Sequence, residues 1–350
     1  TYVSSVKPKK VSEFVAESTE SGYIIRKKVI EMSPAVLRIF LEILYNATDD
    51  YQRSIDMGLK MTKLVVTLDQ ESGTISVLND GYAIPIVIDE DQGLYNHSFL
   101  FGDLLTGSNF DDTEVRTISG RNGIGASATN VLSTFFQVEG VDPNSQKKLV
   151  QTWKDNMGTT AGPKITSSKL KRGYTKVTFI PDFSRLGVPS LTDDLVALYT
   201  RYVIDAAMLT GVKVTLNDEI IPVKKLAQYV ELYESPSEDV VFINTEDCQV
   251  AITPCTEYQP IGFVNNLYTQ YGGVHVDAWA EAVFRPIIDK FNKSKTKSKT
   301  PKINITDVSR FFRLFVVATL DKPTFNNQSK EVLESPTPIA TVKKSVITNI

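Results

Sequence analysis

Val36, Ile39, Phe40, Ile43 and Ala47 recur at three- and four-residue steps, the period of one face of a helix. Ser33 and Pro34 stand just ahead of them, a capping hydroxyl and then a proline in the first turn. A helix is therefore predicted over AVLRIFLEILYNA. Roughly the first 25 residues are polar and mixed in charge, show no clear period, and read as an N-terminal arm. KLVVTLD and TISVLND read as two strands joined at Glu71-Ser72-Gly73. A polar, glycine-bearing stretch runs from Asp89 to Gly125 before ASATNVLSTF resumes helical character. KKLVQTWKD, YTKVTFIPD and VKVTLND are strand-like. The composition changes near residue 233 (YESPSED), which suggests domains at 1–232 and 233–350. Beyond it come strands in DVVFIN, QVAIT and IGFVNN, a helix in DAWAEAVFRPIIDKF, a lysine-rich loop and a strand in FFRLFVVATL. There is no internal repeat and no regular βα rhythm, so the expected class is α+β.

Composition bounds the function. A chain of 350 residues with 42% hydrophobic and 23% charged side chains is neither disordered nor fibrous, and is long enough for two domains. Two cysteines, Cys248 and Cys255, make no disulfide framework; two histidines, His97 and His275, argue against a multi-histidine metal centre. No apolar run reaches the ~18–20 residues of a membrane-crossing helix, and TYVSSVKPKK is no signal peptide, so a soluble intracellular chain is expected. The net charge of −3, from 38 basic and 41 acidic residues, speaks against a uniformly basic nucleic-acid binder. Residues 290–302 change that picture. They hold six lysines (Lys290, Lys293, Lys295, Lys297, Lys299, Lys302) and no acid, which leaves 32 basic against 41 acidic residues elsewhere. Such a loop is either solvated or a polycation for a DNA backbone.

Several constellations could carry chemistry. Glu42 and Asn46 lie four apart on one helix face, where a carboxylate could activate water and an amide oxygen could ligate Mg²⁺; a solvated face with Arg38 paired to Glu42 is the alternative. Asn79-Asp80-Gly81-Tyr82-Ala83-Ile84-Pro85 follows a strand and is turn chemistry by itself. Ser119-Gly120-Arg121-Asn122-Gly123-Ile124-Gly125-Ala126-Ser127 leads into a helix and offers backbone amides to a polyphosphate. It is neither a Rossmann fingerprint, since a polar stretch precedes it, nor a Walker A loop, since Gly-Lys-Ser/Thr is absent. Gln328-Ser329-Lys330 follows the last long strand, where a lysine is ordinarily solvated.

The order of these pieces is more specific than any one of them. Glu42…Asn46, NDGYAIP, FGDLLTGSNFDD, SGRNGIGASATN, Gly173-Tyr174-Thr175…FIPD, Gly272-Gly273-Val274-His275 and Gln328-Ser329-Lys330 together resemble the ATPase region of type IIA DNA topoisomerases. The resemblance runs from about Ser33 to Glu331, and FGDLLTGSNFDDTEVRTISGRNGIGASATNVLSTFF is closer to the eukaryotic and viral or phage enzymes than to bacterial gyrase.

The resemblance implies a Bergerat-type ATPase domain, with helices on one face of a mixed sheet, followed by an α/β transducer domain. It implies Glu42 as general base, Asn46 on Mg²⁺, Asn79 on adenine with Thr175 nearby, and Ser108 and Asn109 on ribose or phosphate. The backbone of Arg121, Asn122, Gly123, Ile124, Gly125 and Ala126 would wrap the triphosphate, and Lys330 with Gln328 would meet the γ-phosphate. ATP, Mg²⁺, double-stranded DNA and a second copy of the chain are the implied ligands and partners, in a eukaryotic nucleus or a virus- or phage-infected cell. Ala83 replaces a usual glycine and Ser127 a usual lysine. Neither an acidic cleavage cluster nor a nucleophilic-tyrosine region is recognisable, so the expected role is an ATP-driven gate whose cleavage module lies elsewhere. An ATP-dependent clamp or scaffold without strand passage is the other reading.

Overall fold

The computed structural model describes residues 5–102, 125–233, 239–294, 302–327 and 329–350. These fall into two compact units that part between Lys225 and Leu226. The first unit holds β1 (Lys9–Thr19), β2 (Gly22–Met32), α1 (Pro34–Asp56), β3 (Lys63–Asp69), β4 (Thr74–Asn79), α2 (Asn96–Gly102), α3 (Gly125–Val131), β5 (Ser133–Asp142) and β6 (Lys147–Lys154). It continues with β7 (Thr159–Thr160), β8 (Lys164–Ser167), β9 (Tyr174–Pro181), α4 (Asp193–Thr210), β10 (Lys213–Leu216) and β11 (Glu219–Ile220).

The predicted start of α1 is as the sequence indicates. Ser33 is extended, its hydroxyl accepts the Val36 N–H, and Pro34 follows in the first turn. The same hydroxyl donates to Leu186 O at 2.6 Å, which fastens the cap to a distant loop. Val36, Ile39, Phe40, Ile43 and Ala47 are all buried. Tyr199 of α4 stacks on Phe40 with ring centroids 4.0 Å apart and donates its hydroxyl to Val36 O at 2.8 Å, so α4 pins α1 from behind.

The main sheet runs β11-β10-β3-β4-β9-β5-β6-β7, with β8 also paired to β6; it is antiparallel except for β10 beside β3. Its register stacks three rows on the helix-covered face. Leu68, Ile75, Phe179, Phe136 and Trp153 form one, and Val66, Val77, Val177, Val138 and Gln151 the next. The third is Leu64, Asn79, Thr175, Gly140 and Leu149, in which polar or small residues interrupt the apolar pattern. The intervening positions Lys63, Thr67, Lys176 and Thr178 are exposed or half-buried, so the helices cover one face only.

The structure departs from the sequence reading in four places. The stretch read as an arm is a hairpin, β1 with β2. Glu13, Phe14, Val15 and Ala16 are buried consecutively there, so two-residue alternation is lost. Helix α4 was not expected. It is capped by Thr192, ended by left-handed Gly211, and buried nearly all round, which erases an amphipathic stripe. The long polar stretch contains α2, and the helix predicted in ASATNVLSTF stops at Val131 so that Ser133 opens β5.

The second unit holds α5 (Leu226–Glu231), β12 (Val241–Asn244), β13 (Cys248–Pro254), β14 (Gln259–Val264), β15 (Leu267–Thr269), α6 (Val274–Ser294), α7 (Ile305–Ser309), β16 (Phe312–Ala318), β17 (Thr324–Phe325), β18 (Leu333–Ser335) and α8 (Lys344–Asn349). A five-stranded sheet, β12-β13-β16-β14-β15, buries Val250, Ile252, Leu314 and Val316 in one cluster with Trp279, Val283 and Phe284 of α6. Tyr229 and Tyr233 pack edge-on to Phe315 in this unit.

Ser33→Ala removes both the cap and the bond to Leu186. Urea unfolding is expected to show a loss of about 1–3 kcal/mol; a variant within experimental error of the parent would mean the cap contributes nothing.

Candidate functional site

Arg38, Glu42, Asn46, Asp50 and Ser54 follow one another at four-residue steps along α1, a polar ridge on a helix otherwise largely buried. Arg38 and Glu42 form the ion pair expected from their spacing, through Glu42 Oε1. The other oxygen, Oε2, faces Gly125, the first residue of α3; a Cβ there would collide with the Glu42 carboxylate. Any larger residue would push the Glu42 carboxylate aside. Helix α3 is held in place by Thr129, whose Oγ1 lies 3.0 Å from Ile39 O, and by Asn130, whose Nδ2 donates to Phe101 O at 2.8 Å. Asn46, one turn beyond Glu42, is exposed.

The ridge continues to the Asn79–Tyr82 turn. A Cβ at Gly81 would run into the Asp50 carboxylate and the Ser54 hydroxyl. Ser54 Oγ accepts the Tyr82 N–H at 2.8 Å and donates to Asp50 O at 2.6 Å, while Asn79 Oδ1 accepts the Gly81 N–H at 3.2 Å. Asp80 points away and acts as an anchor, taking the N–H groups of Thr62 (2.7 Å) and Lys63 (2.9 Å) and an ion pair from Arg172 (2.6 Å). Burial works to raise the Asp80 pKa, but these bonds and Arg172 outweigh it and the pKa lies below the usual value.

Asn79 is buried and stands directly opposite Thr175 in the register of β4 and β9. Beside Thr175 lies Gly140, over which the His97 ring packs so closely that a side chain could not fit. Burial pushes the His97 pKa down to about 4, so the ring is neutral at physiological pH. A Cβ on Gly173 would collide with the Ala83 methyl. Ser127 is buried, with its hydroxyl 3.4 Å from Leu100 O.

In the second unit Lys330 adopts a left-handed backbone, φ 58°, rare for a residue with a side chain. Two bonds close the chain around it. Asn326 N–H donates to Val332 O (3.1 Å) and Asn326 Oδ1 accepts the Val332 N–H (3.1 Å). Asn327 Nδ2 reaches Glu331 Oε2 at 2.9 Å. Tyr271 N–H to Glu331 O and Leu333 N–H to Gly272 O fasten this loop to the start of α6. Gly273 has φ 130°, and a Cβ there would strike the Leu333 backbone, which gives the Gly-Gly pair its reason.

Thus Glu42, Asn46, Gly125 and Ala126 gather at one end of the ridge, and Asn79 with Thr175 at the other. Ser108, Asn109, Arg121, Asn122, Gly123, Ile124, Gln328, Lys295, Lys297 and Lys299 lie outside the described residues. Lys290, Lys293 and Lys302 are exposed. Among the described residues, no group of three His, Cys, Asp or Glu side chains could hold a metal, and no helix is long and apolar enough to cross a membrane.

The ATPase region of Saccharomyces cerevisiae topoisomerase II superposes on the whole chain with a TM-score of 0.89 at 31% identity, and the chain covers 90% of that structure. The chain belongs to the type IIA DNA topoisomerase family. The ATPase and transducer domains of Balamuthia mandrillaris DNA topoisomerase II match equally well, at a TM-score of 0.89 and 31% identity over 99% of this chain and 89% of that one. DNA topoisomerase 2 of Invertebrate iridescent virus 6 is 38% identical over 99% of this chain, and that of Arabidopsis thaliana 36% over 95%. The chain spans only 32% and 23% of those two proteins. The family model for DNA gyrase B matches residues 206–350. Thermus thermophilus gyrase B shares the fold, with a TM-score of 0.58 at 20% identity. The fold is accordingly the Bergerat ATPase domain with its transducer, in the α+β class expected.

Within this topoisomerase fold, sequence reasoning stopped the ridge at Asn46 and missed Asp50 and Ser54. The signal was available, since both continue the same four-residue step. Asp50 is buried, its Oδ2 has no hydrogen-bond partner among the described residues, and burial lifts its pKa to about 7 against the pull of Arg53. The folded state therefore holds a proton that the unfolded chain releases near pH ~4. The stability this proton confers is complete below that pH and is lost as pH rises through about 7. Urea titrations of the parent and Asp50→Asn should show the parent losing stability relative to the variant between pH 5 and 8. A difference that does not change with pH would disprove the buried, protonated carboxyl.

Proposed function

We propose that this chain binds and hydrolyses ATP as the gate of a type II DNA topoisomerase, with residues 1–232 as the ATPase domain and 233–350 as the transducer. Dimerisation on ATP binding would capture a DNA segment, and hydrolysis would reset the gate. The observation that carries the reading is the Glu42 carboxylate lodged against Gly125, at the end of the glycine-rich run and the start of α3. On this reading the carboxylate takes a proton from a water attacking the γ-phosphorus, beside the loop that would wrap the phosphates.

Arg38 holds Oε1 and leaves Oε2 toward Gly125, so the side chain is oriented before substrate arrives. Asn79 and Thr175 offer neighbouring polar groups to the adenine, with the turn carrying Asn79 braced from below by Ser54 and Asp50. Ser108 and Asn109 would contact ribose or phosphate, and the Arg121–Ala126 backbone would wrap the triphosphate. Asn46, an exposed amide one turn from Glu42, would hold Mg²⁺, which neutralises phosphate charge. Ser127 cannot supply a cation, so more of the charge on the γ-phosphate falls to Lys330, with Gln328 helping to hold it. The six lysines of 290–302 would meet the backbone of double-stranded DNA without reading sequence. Eukaryotic and viral relatives favour a nucleus or an infected cell as the setting.

Steady-state ATPase and nucleotide-binding assays test this. Glu42→Gln should bind ATP as the parent does and lose turnover by about 10²–10⁴-fold, the usual range for a general base. Lys330→Ala should lower turnover and leave ADP affinity almost unchanged. Hydrolysis by Glu42→Gln near the parent rate would remove Glu42 from the chemistry, and equal loss of ATP and ADP binding would remove Lys330 from the γ-phosphate.

A further inference from the structure

Residues 143–176 carry eight basic side chains and one acidic one, Asp155. Outside this stretch and the 290–302 loop, the chain holds 24 basic against 40 acidic residues. The fold sets residues 147–167 at one margin of the nine-stranded sheet, where β6 pairs with both β7 and β8, and the chain then returns through residues 168–173 to β9 inside the sheet.

Register sorts these cations. Leu149, Gln151 and Trp153 belong to the helix-covered rows, so Lys148, Thr152 and Lys154 of the same strand lie on the open face. Lys164 pairs across from Val150 and Thr166 across from Lys148, which places them on that face too. Lys148 is engaged by Glu139 at 3.0 Å, and Arg172 by Asp80. Lys154, Lys164, Lys169 and Lys171 are exposed and make no ion pair among the described residues. They are four uncompensated ammonium groups on a chain otherwise strongly acidic.

We propose that this edge binds the phosphate backbone of duplex DNA, a second contact beside the lysine-rich loop and on the ATPase unit itself. The proposal rests on the DNA reading above. Point charges spread over adjacent strands, with the hydroxyls of Thr159 and Thr166 among them, suit a repeating phosphate lattice and read no bases. An acidic protein segment would ordinarily want an apolar anchor as well, and Leu170 is the one exposed large hydrophobic side chain described in this stretch. Lys154 and Lys164 lie across the sheet from Asn79 and Thr175, so they serve a different anion from the nucleotide.

The test is a variant with Lys154, Lys164, Lys169 and Lys171 all changed to Gln, titrated against a short fluorescein-labelled duplex over a range of KCl. Each lost phosphate contact lowers the slope of log K on log salt by about 0.9, so a fall of about 3–4 is expected, with basal ATPase and the urea midpoint unchanged. A variant in which the six lysines of 290–302 become Ser runs in parallel. If that variant loses slope while the edge variant keeps the parent's slope and affinity, the edge proposal fails and the DNA reading stands. If the parent does not bind the duplex at all, both fall. If polyglutamate binds the parent edge more tightly than the duplex does, the surface belongs to an acidic protein and the proposal is wrong.

Discussion

The contact between the Glu42 carboxylate and Gly125 depends on α1 being held from two sides. Its apolar side is clamped by Tyr199, which stacks on Phe40 and bonds Val36 O, and its start by Ser33, which bonds both Val36 and Leu186. Its polar ridge then has no freedom to roll. A rotation large enough to relieve the approach to Gly125 would drag Asp50 and Ser54 off Gly81 and lift Phe40 from Tyr199. Both ends of the proposed nucleotide site are thus set by one rigid element, which is how catalytic geometry survives in a marginally stable chain.

The same logic separates what the sequence shows from what it hides. Helix α1 was legible because one face is buried and the other is not. Strands β3, β6 and β9 alternate for the same reason. Helix α4 and the stretch Glu13–Ala16 are enclosed on more than one side, and enclosure removes the period that identifies an element. In the site, Glu42 and Asn46 were visible as a pair of chemically suggestive residues. Asp50 and Ser54 continue the same four-residue step, but their role, to brace Gly81, appears only once Gly81 has a position. Asp80 stands beside Asn79 in the same turn yet serves Thr62, Lys63 and Arg172.

Charge is the property that whole-chain arithmetic conceals most. A net −3 is the sum of an acidic body and two separate basic regions, one in each unit. On the proposed reading, a gate that admits DNA and then releases it would be trapped by uniform attraction, because every neutralised phosphate multiplies the salt-dependent affinity. Localised cations on an acidic body limit contact to a few places and leave the remaining surface repulsive.

On the proposed reading Lys330 poses the reverse problem, a single cation that would respond to one phosphate. Its left-handed backbone is a conformation that the chain would not keep unaided, and Asn326, with two bonds to Val332, imposes it. The bonds from Tyr271 to Glu331 and from Leu333 to Gly272 then tie the loop to the residues just ahead of α6. A flexible lysine would reach a γ-phosphate equally well but would transmit nothing on losing it. On the proposed reading, a lysine whose loop is tied to the residues leading into a 21-residue helix would convert the presence or absence of a phosphate into a pull on that helix. On the proposed reading, the strain at Lys330 is what makes hydrolysis felt beyond the nucleotide.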